Sequence, residues 1–268
     1  MAYEAVIYEK REHVAILTLN KPERLNAIGA AIRSEVHAAV DEAHKDDEVR
    51  ALIITGAGRG FCSGADLTTA AIGANPPPLP KDQNSLLDDM GWVGRWAHLF
   101  HDFDKPLIAA VNGVAAGAGM SMALACDLRV GSEHARFKTV FIERNLSPDS
   151  GMSYFLPRIV GYSRAADLIF TSRPVGAEEA YRVGLLDRLV AHDNLVEEAV
   201  KLAAEMGGWP PLALRASKRV LQKNMTADLD DALRYESVNL GFARKAVNDS
   251  RESIRSFAEK RKPTYTGT

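Results

Sequence analysis

A buried strand, a loop of very small residues and a helix follow one another in this chain, and the same succession then recurs. Val49 to Thr55 is a short apolar run rich in β-branched residues, and Gly56 to Gly64 is the glycine-rich loop that leaves it. A helix predicted from about Leu86 to Phe103 stops before Lys105-Pro106. Leu107 to Val111 is strand-like again, and a second small-residue loop leads into a helix over Gly119 to Ala125. Strand and helix signals that alternate in this way predict an α/β core.

The rest of the chain fits around that core. Residues 4 to 9 and 13 to 19 alternate apolar and polar positions across the charged turn Lys10 to Glu12, as in a β-hairpin. Ile28, Ile32, Val36 and Val40 have helical spacing within Asn26 to Lys45. Residues 68 to 83 combine small residues with Pro76, Pro77, Pro78 and Pro80, which predicts an exposed, mobile segment. Arg129 to Gly131 and the region of Phe137 continue the alternation, Ser147 to Gly151 breaks it, and a helix starts near Met152 and runs to Ile159. Helices dominate from Ser163, and Asp193 to Lys260 reads as all-helical and amphipathic. The expected division is a core over 1–204 and a helical region over 205–268.

Charge and cysteine content exclude several functions. The chain has 33 Lys+Arg against 35 Asp+Glu, so no global basic field gathers nucleic acid or an acidic membrane, and a phosphate-bearing ligand needs a local patch. Cys62 and Cys126 have neither disulfide-like nor metal-ligand spacing, which suits a reducing, cytoplasmic setting. The charged N-terminus lacks the apolar core of a secretory signal, and no run reaches the roughly 18 apolar residues of a membrane span. The expectation is a soluble protein.

The two loops are the first candidates for chemistry. They are Gly56 to Leu67 and Val111 to Ser121. Small side chains let main-chain N–H groups reach a ligand, and a loop entering a helix aims them at developing negative charge. Together they could form an oxyanion hole; close packing of helix on strand is the other reading. Nucleotide motifs fail, since Phe61 stands where a Rossmann loop wants its third glycine and neither loop contains G-K-S/T. Ser63 lies in G-x-x-S-G and not in the G-x-S-x-G elbow of hydrolases. Cys62 and Cys126 read as small buried fillers. His98 and His101 share a helix face but lack a third metal ligand, and Trp92 and Trp96 read first as core and second as the wall of an acyl pocket.

Gly60-Phe61-Cys62-Ser63-Gly64-Ala65-Asp66-Leu67, Lys105 to Gly113 and Cys126-Asp127-Leu128-Arg129 occur in this order. Pro148-Asp149-Ser150-Gly151, Leu156-Pro157-Arg158 and Phe257 to Lys262 follow. In these residues, and over nearly its whole length, the chain resembles the crotonase (enoyl-CoA hydratase/isomerase) family. The resemblance implies a crotonase-like superhelical core of repeated ββα turns, a helical C-terminal region for oligomerisation, and a homotrimer or dimer of trimers. It implies an acyl-CoA thioester as substrate, with coenzyme A part of that substrate and no separate cofactor or metal. It assigns the oxyanion donors to the backbone N–H groups of Ala65 and Ala118, the latter standing where glycine is more usual. It also points to Arg24, Asp66, Leu67 and Phe141 around the substrate, and to Phe257 and Lys260 as able to reach a neighbouring subunit's ligand. For Lys260 a solvent-facing helix stripe is the competing reading, and for Asp66 an Asx-type hydrogen bond within its own loop.

The resemblance also exposes two departures. Family hydratases add water with two glutamates, at the positions of Ser121 and Phe141, and neither residue here is a base near neutral pH. Glu143 is a near neighbour that reads either as reaching the pocket or as a surface acid. Asp149 sits where some family isomerases place a catalytic aspartate, and it could equally cap the helix that begins near Met152. A single carboxylate suffices for a 1,3-proton shift, so the expected reaction is double-bond isomerisation. Hydration, thioester hydrolysis, C–C bond cleavage and acyl-CoA binding without turnover are the alternatives.

Overall fold

The computed structural model describes residues 3–67 and 82–268; the proline-bearing stretch expected at 68–83 lies, except for its last two residues, outside the described residues. In chain order the strands are β1 (Val6–Arg11), β2 (Val14–Leu19), β3 (Ala51–Gly56), β4 (Gly60–Cys62), β5 (Leu107–Val111), β6 (Val114–Ala116), β7 (Leu128–Ser132), β8 (Arg136–Lys138), β9 (Val175–Gly176) and β10 (Arg188–Val190). The helices are α1 (Ala30–Lys45), α2 (Gln83–Leu86), α3 (Gly91–His101), α4 (Ala118–Ala125), α5 (Met152–Val160), α6 (Tyr162–Thr171), α7 (Ala177–Arg182), α8 (Leu195–Gly207), α9 (Pro211–Asn224), α10 (Leu229–Ala243) and α11 (Val247–Glu259).

Among the described residues the strands form two sheets, ordered β1-β2-β3-β5-β7-β10 and β4-β6-β8-β9. Apart from the β1–β2 hairpin, all pairs in the first sheet are parallel. The pairs β3/β4, β5/β6 and β7/β8 each contribute one strand to either sheet, and a helix follows each pair, so the core is a superhelix of ββα turns.

Parallel strands covered on both faces need side chains that are apolar in both directions, which explains the unbroken apolar runs. Along β3, Leu52 and Ile54 pack with α1 residues Ile32, Val36 and Val40, while Ala51 and Ile53 pack with α8 residues Leu195, Ala199 and Leu202. Ile53, Ile54 and Leu52 are fully buried, and each such side chain contributes about 1.5–3 kcal/mol of burial.

The structure shortens or splits several predicted elements. The helix expected from Asn26 begins at Ala30, because Ile28 is drawn into a parallel bridge with Ala65. The helix expected over Leu86 to Phe103 begins only at Gly91, with φ 59°, and ends at His101, while Leu86 is the last residue of the separate short turn α2. Both small-residue loops contain three-residue strands, β4 and β6, that the sequence reading left as loop.

The C-terminal helices are held to the core by buried charge. Asp104 accepts from Arg215 at 2.9 Å and from Arg219 at 2.6 Å, and Lys218 donates to Asp127 at 2.7 Å. Their outer faces leave Leu229, Leu233, Val238, Leu240, Ile254 and Phe257 exposed.

Candidate active site

Strands β4 and β6 lie side by side and parallel, with Gly60 opposite Val114 and Cys62 opposite Ala115, so the residues that leave their C-terminal ends emerge together. These are Gly64-Ala65 from β4 and Gly117-Ala118 from β6. A Cβ on Gly64 would stand 2.8 Å from the Ala116 carbonyl oxygen and 3.5 Å from the Ala118 nitrogen. A Cβ on Gly119 would come within 2.2 Å of the Cys62 carbonyl oxygen. Glycine at both positions is therefore what lets the loops approach so closely.

The direction of each amide follows from its peptide plane. Ile28 N–H donates to the Gly64 carbonyl at 2.7 Å, so the Ala65 N–H at the other end of that trans peptide points away from Ile28. Ser121 N–H donates to the Gly117 carbonyl at 2.9 Å, which turns the Ala118 N–H outward from the start of α4. Ala118 opens a helix that is buried along its whole length, and an N-terminal amide of this kind carries the positive end of the helix dipole. Gly117 accommodates the turn with φ 50° and ψ −126°, outside the range of ordinary L-residues.

Two asparagines hold the first loop in place, and the sequence reading did not single them out. Asn26, fully buried and with φ 56°, donates to the carbonyls of Ala57 at 3.0 Å and Gly60 at 2.7 Å. Asn112 donates to Gly58 at 2.8 Å and Gly60 at 3.2 Å, and accepts from Gly56 N–H at 3.2 Å. An amide side chain beside each loop was the available signal.

Asp149 lies across from the start of α4. Its main-chain carbonyl accepts from the Ser121 hydroxyl at 3.2 Å and from Met152 N–H at 2.9 Å. Its carboxylate is half-buried, and Oδ1 has no hydrogen-bond partner among the described residues. Burial raises its pKa above the usual aspartate value; the adjacent Ser150 hydroxyl pulls the other way, although its oxygen too stands outside hydrogen-bond geometry. The capping alternative is not realised: the N-cap position of α5 is Gly151, and no side chain caps the helix. Ser150 and Gly151, at φ 51° and 82°, turn the chain so that Asp149 stands off the helix end.

The other candidates fall into clear places. Ser121 is fully buried and Phe141 is 4 % exposed, so both positions carry uncharged side chains inside the protein. Glu143 is an exposed surface acid paired with Lys138 at 2.6 Å, and its pKa is lowered by the hydrogen bond from that lysine. Arg24 pairs with Asp66 at 3.0 Å beside Ala65, and Leu67 is partly exposed on the same loop. Phe257, 87 % exposed, and Lys260, in a left-handed C-cap, stand at the end of α11 and away from the β4/β6 loop pair in sequence. Cys62 and Cys126 are buried and free, and burial pushes both thiols up to about 12, as small core fillers. Trp96 is fully buried against Phe100, while Trp92 only packs against the core edge. His98 pairs with Asp102 at 3.0 Å, and no cluster suited to a metal occurs among the described residues.

Next to Gly151 a cleft of about 430 Å³ opens between α3 and α5, walled by Met90, Ala97, His101, Tyr154 and Phe155. The Tyr154 and Phe155 rings meet edge to face at 5.2 Å. The lining is chiefly apolar, which suits hydrocarbon better than a charged group.

The profile of the family described as Enoyl-CoA hydratase/isomerase matches residues 9–268. A probable enoyl-CoA hydratase, echA12, of Mycobacterium bovis is 35% identical over 268 residues, covering 97% of this chain and 92% of that protein. A 1,2-epoxyphenylacetyl-CoA isomerase of Escherichia coli K12 is 33% identical over 264 residues, covering 98% of this chain and 99% of the relative. Among solved structures, an enoyl-CoA hydratase from Bacillus anthracis superposes with a TM-score of 0.90 at 29% identity, covering 99% of this chain and 100% of the other.

Proposed function

This chain belongs to the enoyl-CoA hydratase/isomerase family, and from that premise we propose that it isomerises the double bond of an acyl-CoA thioester, with Asp149 as the single acid/base. The observation that carries the reading is the Asp149 carboxylate, half-buried, raised in pKa and without a partner on Oδ1 among the described residues, in a chain whose Ser121 and Phe141 are buried and supply no acid or base.

In the proposed reaction the Ala65 and Ala118 N–H groups hold the thioester oxygen. Asp149 takes a proton from one carbon of the acyl chain, negative charge moves onto that oxygen, and the same carboxyl returns the proton to a carbon two positions away. Donors fixed in advance act most strongly where the charge is greatest, and each is typically worth about 2.7–4 kcal/mol. A raised pKa helps a carboxylate that must both take and return a proton. The step moves one proton and needs no separate cofactor. Arg24, held by Asp66 beside the first donor, would meet the nucleotide side of coenzyme A. Phe257 and Lys260 would do so from a neighbouring subunit of a trimer or paired trimer, for which the apolar outer faces of α10 and α11 supply contact area. A cytoplasmic location fits a chain whose described residues include no helix long and apolar enough to cross a membrane.

Hydration by paired glutamates is disfavoured because Ser121 and Phe141 supply neither acid nor base. The test is incubation with 2-enoyl-, 3-enoyl- and saturated acyl-CoA thioesters in deuterated water. Isomerisation predicts interconversion of the enoyl isomers with deuterium in the acyl chain, lost in Asp149→Asn while thioester binding persists. Hydroxyacyl-CoA as the main product, or full activity in that variant, sinks the reading.

A further inference from the structure

A second cleft, of about 690 Å³, lies between α1 and α3 and is lined by Ala30, Arg33, Ser34 and His37 from α1 and by Trp92 and Arg95 from α3. The α1 residues recur at i, i+3, i+4 and i+7, so one helix face supplies them all. The Arg33 guanidinium lies over the Trp92 ring, 5.6 Å from its centroid, a contact that orients the cation without neutralising it. Among the described residues Arg33 has no carboxylate partner, whereas Arg95 is paired with Asp88. The His37 imidazole is pushed to lower pKa by burial and then by the charges of Arg33 and Arg95.

This cleft adjoins the donor loop. Ile28 is bridged to Ala65, α1 starts two residues later, and a Cβ on Gly29 would stand 3.6 Å from Asp66 Oδ2. Along the α1 axis Arg33 is about 4.5 Å beyond Ala30 and His37 about 10 Å, at 1.5 Å rise per residue. A hydrocarbon terminus gains nothing from guanidinium groups at that distance. A carboxylate matches their forked donors, and Arg33, exposed at the cleft and without a carboxylate partner among the described residues, can pair with one in bidentate fashion.

We propose that the Arg33–Arg95 cleft receives a carboxylate at the far end of the acyl chain, so that the preferred substrates are acyl-CoA thioesters with an anionic tail. This rests on the acyl-CoA reading above and narrows it to a substrate class. The phosphates of coenzyme A offer the same anionic oxygen chemistry, and binding measurements separate the two sources. Calorimetry on the full-length Asp149→Asn protein, expected to hold thioesters without turnover, would compare adipyl-CoA, hexanoyl-CoA and free coenzyme A. Adipyl-CoA is expected to bind about tenfold tighter than hexanoyl-CoA, a difference of roughly 1.4 kcal/mol. Arg33→Gln should remove most of that preference and leave the other two ligands within about twofold. Arg33 is exposed, so an unchanged melting temperature shows that the variant is folded. Equal affinity for the two thioesters overturns the inference and leaves the acyl-CoA reading standing. An equal loss of affinity for free coenzyme A in Arg33→Gln also overturns it, by assigning the cleft to phosphate. If none of the three ligands binds, the acyl-CoA reading falls and takes this inference with it.

Discussion

The Ser121 hydroxyl donates to the main-chain carbonyl of Asp149 at 3.2 Å, which ties the first turn of the buried helix α4 to the loop ahead of α5. The proposed donor amide of Ala118 and the proposed base are thereby registered through one residue.

Ser121→Ala tests that link. Removing one neutral hydrogen bond should cost about 0.5–1.5 kcal/mol of stability and slow turnover modestly, since the hydroxyl positions Asp149 and takes no proton itself. Denaturant midpoints and kcat measured together check this, and a loss of turnover as complete as that in Asp149→Asn would make Ser121 part of the chemistry.

Asp149 should also lower stability as the pH rises. Its folded pKa is raised, so the folded state holds the proton more tightly than the unfolded one. Below the ordinary aspartate range both states are protonated and nothing is lost. As the pH climbs from there through the raised folded value, stability falls, and it stays lower above it. Asp149→Asn is therefore expected to melt higher than wild type at neutral pH, with the gap closing in acid, while turnover drops by about 10²–10⁴-fold. Thermal melts across that pH range check the sign.

Ala118→Pro removes a single backbone donor at a position that tolerates the ring. Ala118 is the first residue of α4, where proline is favoured, and Gly117 at φ 50° and ψ −126° has no Cβ to clash with it. Turnover should fall about 10²–10³-fold with the helix intact, whereas Ala118→Gly, which keeps the amide, should retain most of it. Kinetics beside circular dichroism separate loss of the donor from loss of the fold.

Asp104→Asn should loosen the C-terminal helices. Burial pushes the Asp104 carboxyl up, but the hydrogen bonds from Arg215 and Arg219 outweigh it, and the pKa is lowered overall. The clamp is thus complete above the ordinary aspartate range and is lost as the pH falls through the lower folded value. Substitution is expected to cost about 1.5–3 kcal/mol, toward the low end because Arg219 is half exposed. Hydrogen exchange in α9 at neutral and acid pH checks both the site and the direction.

Local order was legible from residues near one another in the chain. Helical spacing of Ile32, Val36 and Val40, the β-branched run into β3 and the small-residue loops all act within a few residues, so α1, β3 and the two candidate loops could be named from the sequence, while the family resemblance singled out Ala65 and Ala118 within them. Strands β4 and β6 could not, because three residues have no readable period and such strands exist only through pairing with their neighbours, β4 with β6 and β6 also with β8. Whether Asp149 capped α5 or stood free turned on the left-handed backbone at Ser150 and Gly151. Glu143 was turned outward by the short helical turn that follows Phe141. Asn26 reaches Gly60 across 34 residues of sequence, and Arg33 and Arg95 share a cleft only because α1 and α3 pack together. Sequence by itself thus determined the longer strands and helices, the small-residue loops between them and which residue types were available for chemistry. Tertiary structure decided which of them meet, because burial, pairing and charge compensation act between surfaces that the chain brings together only when it folds.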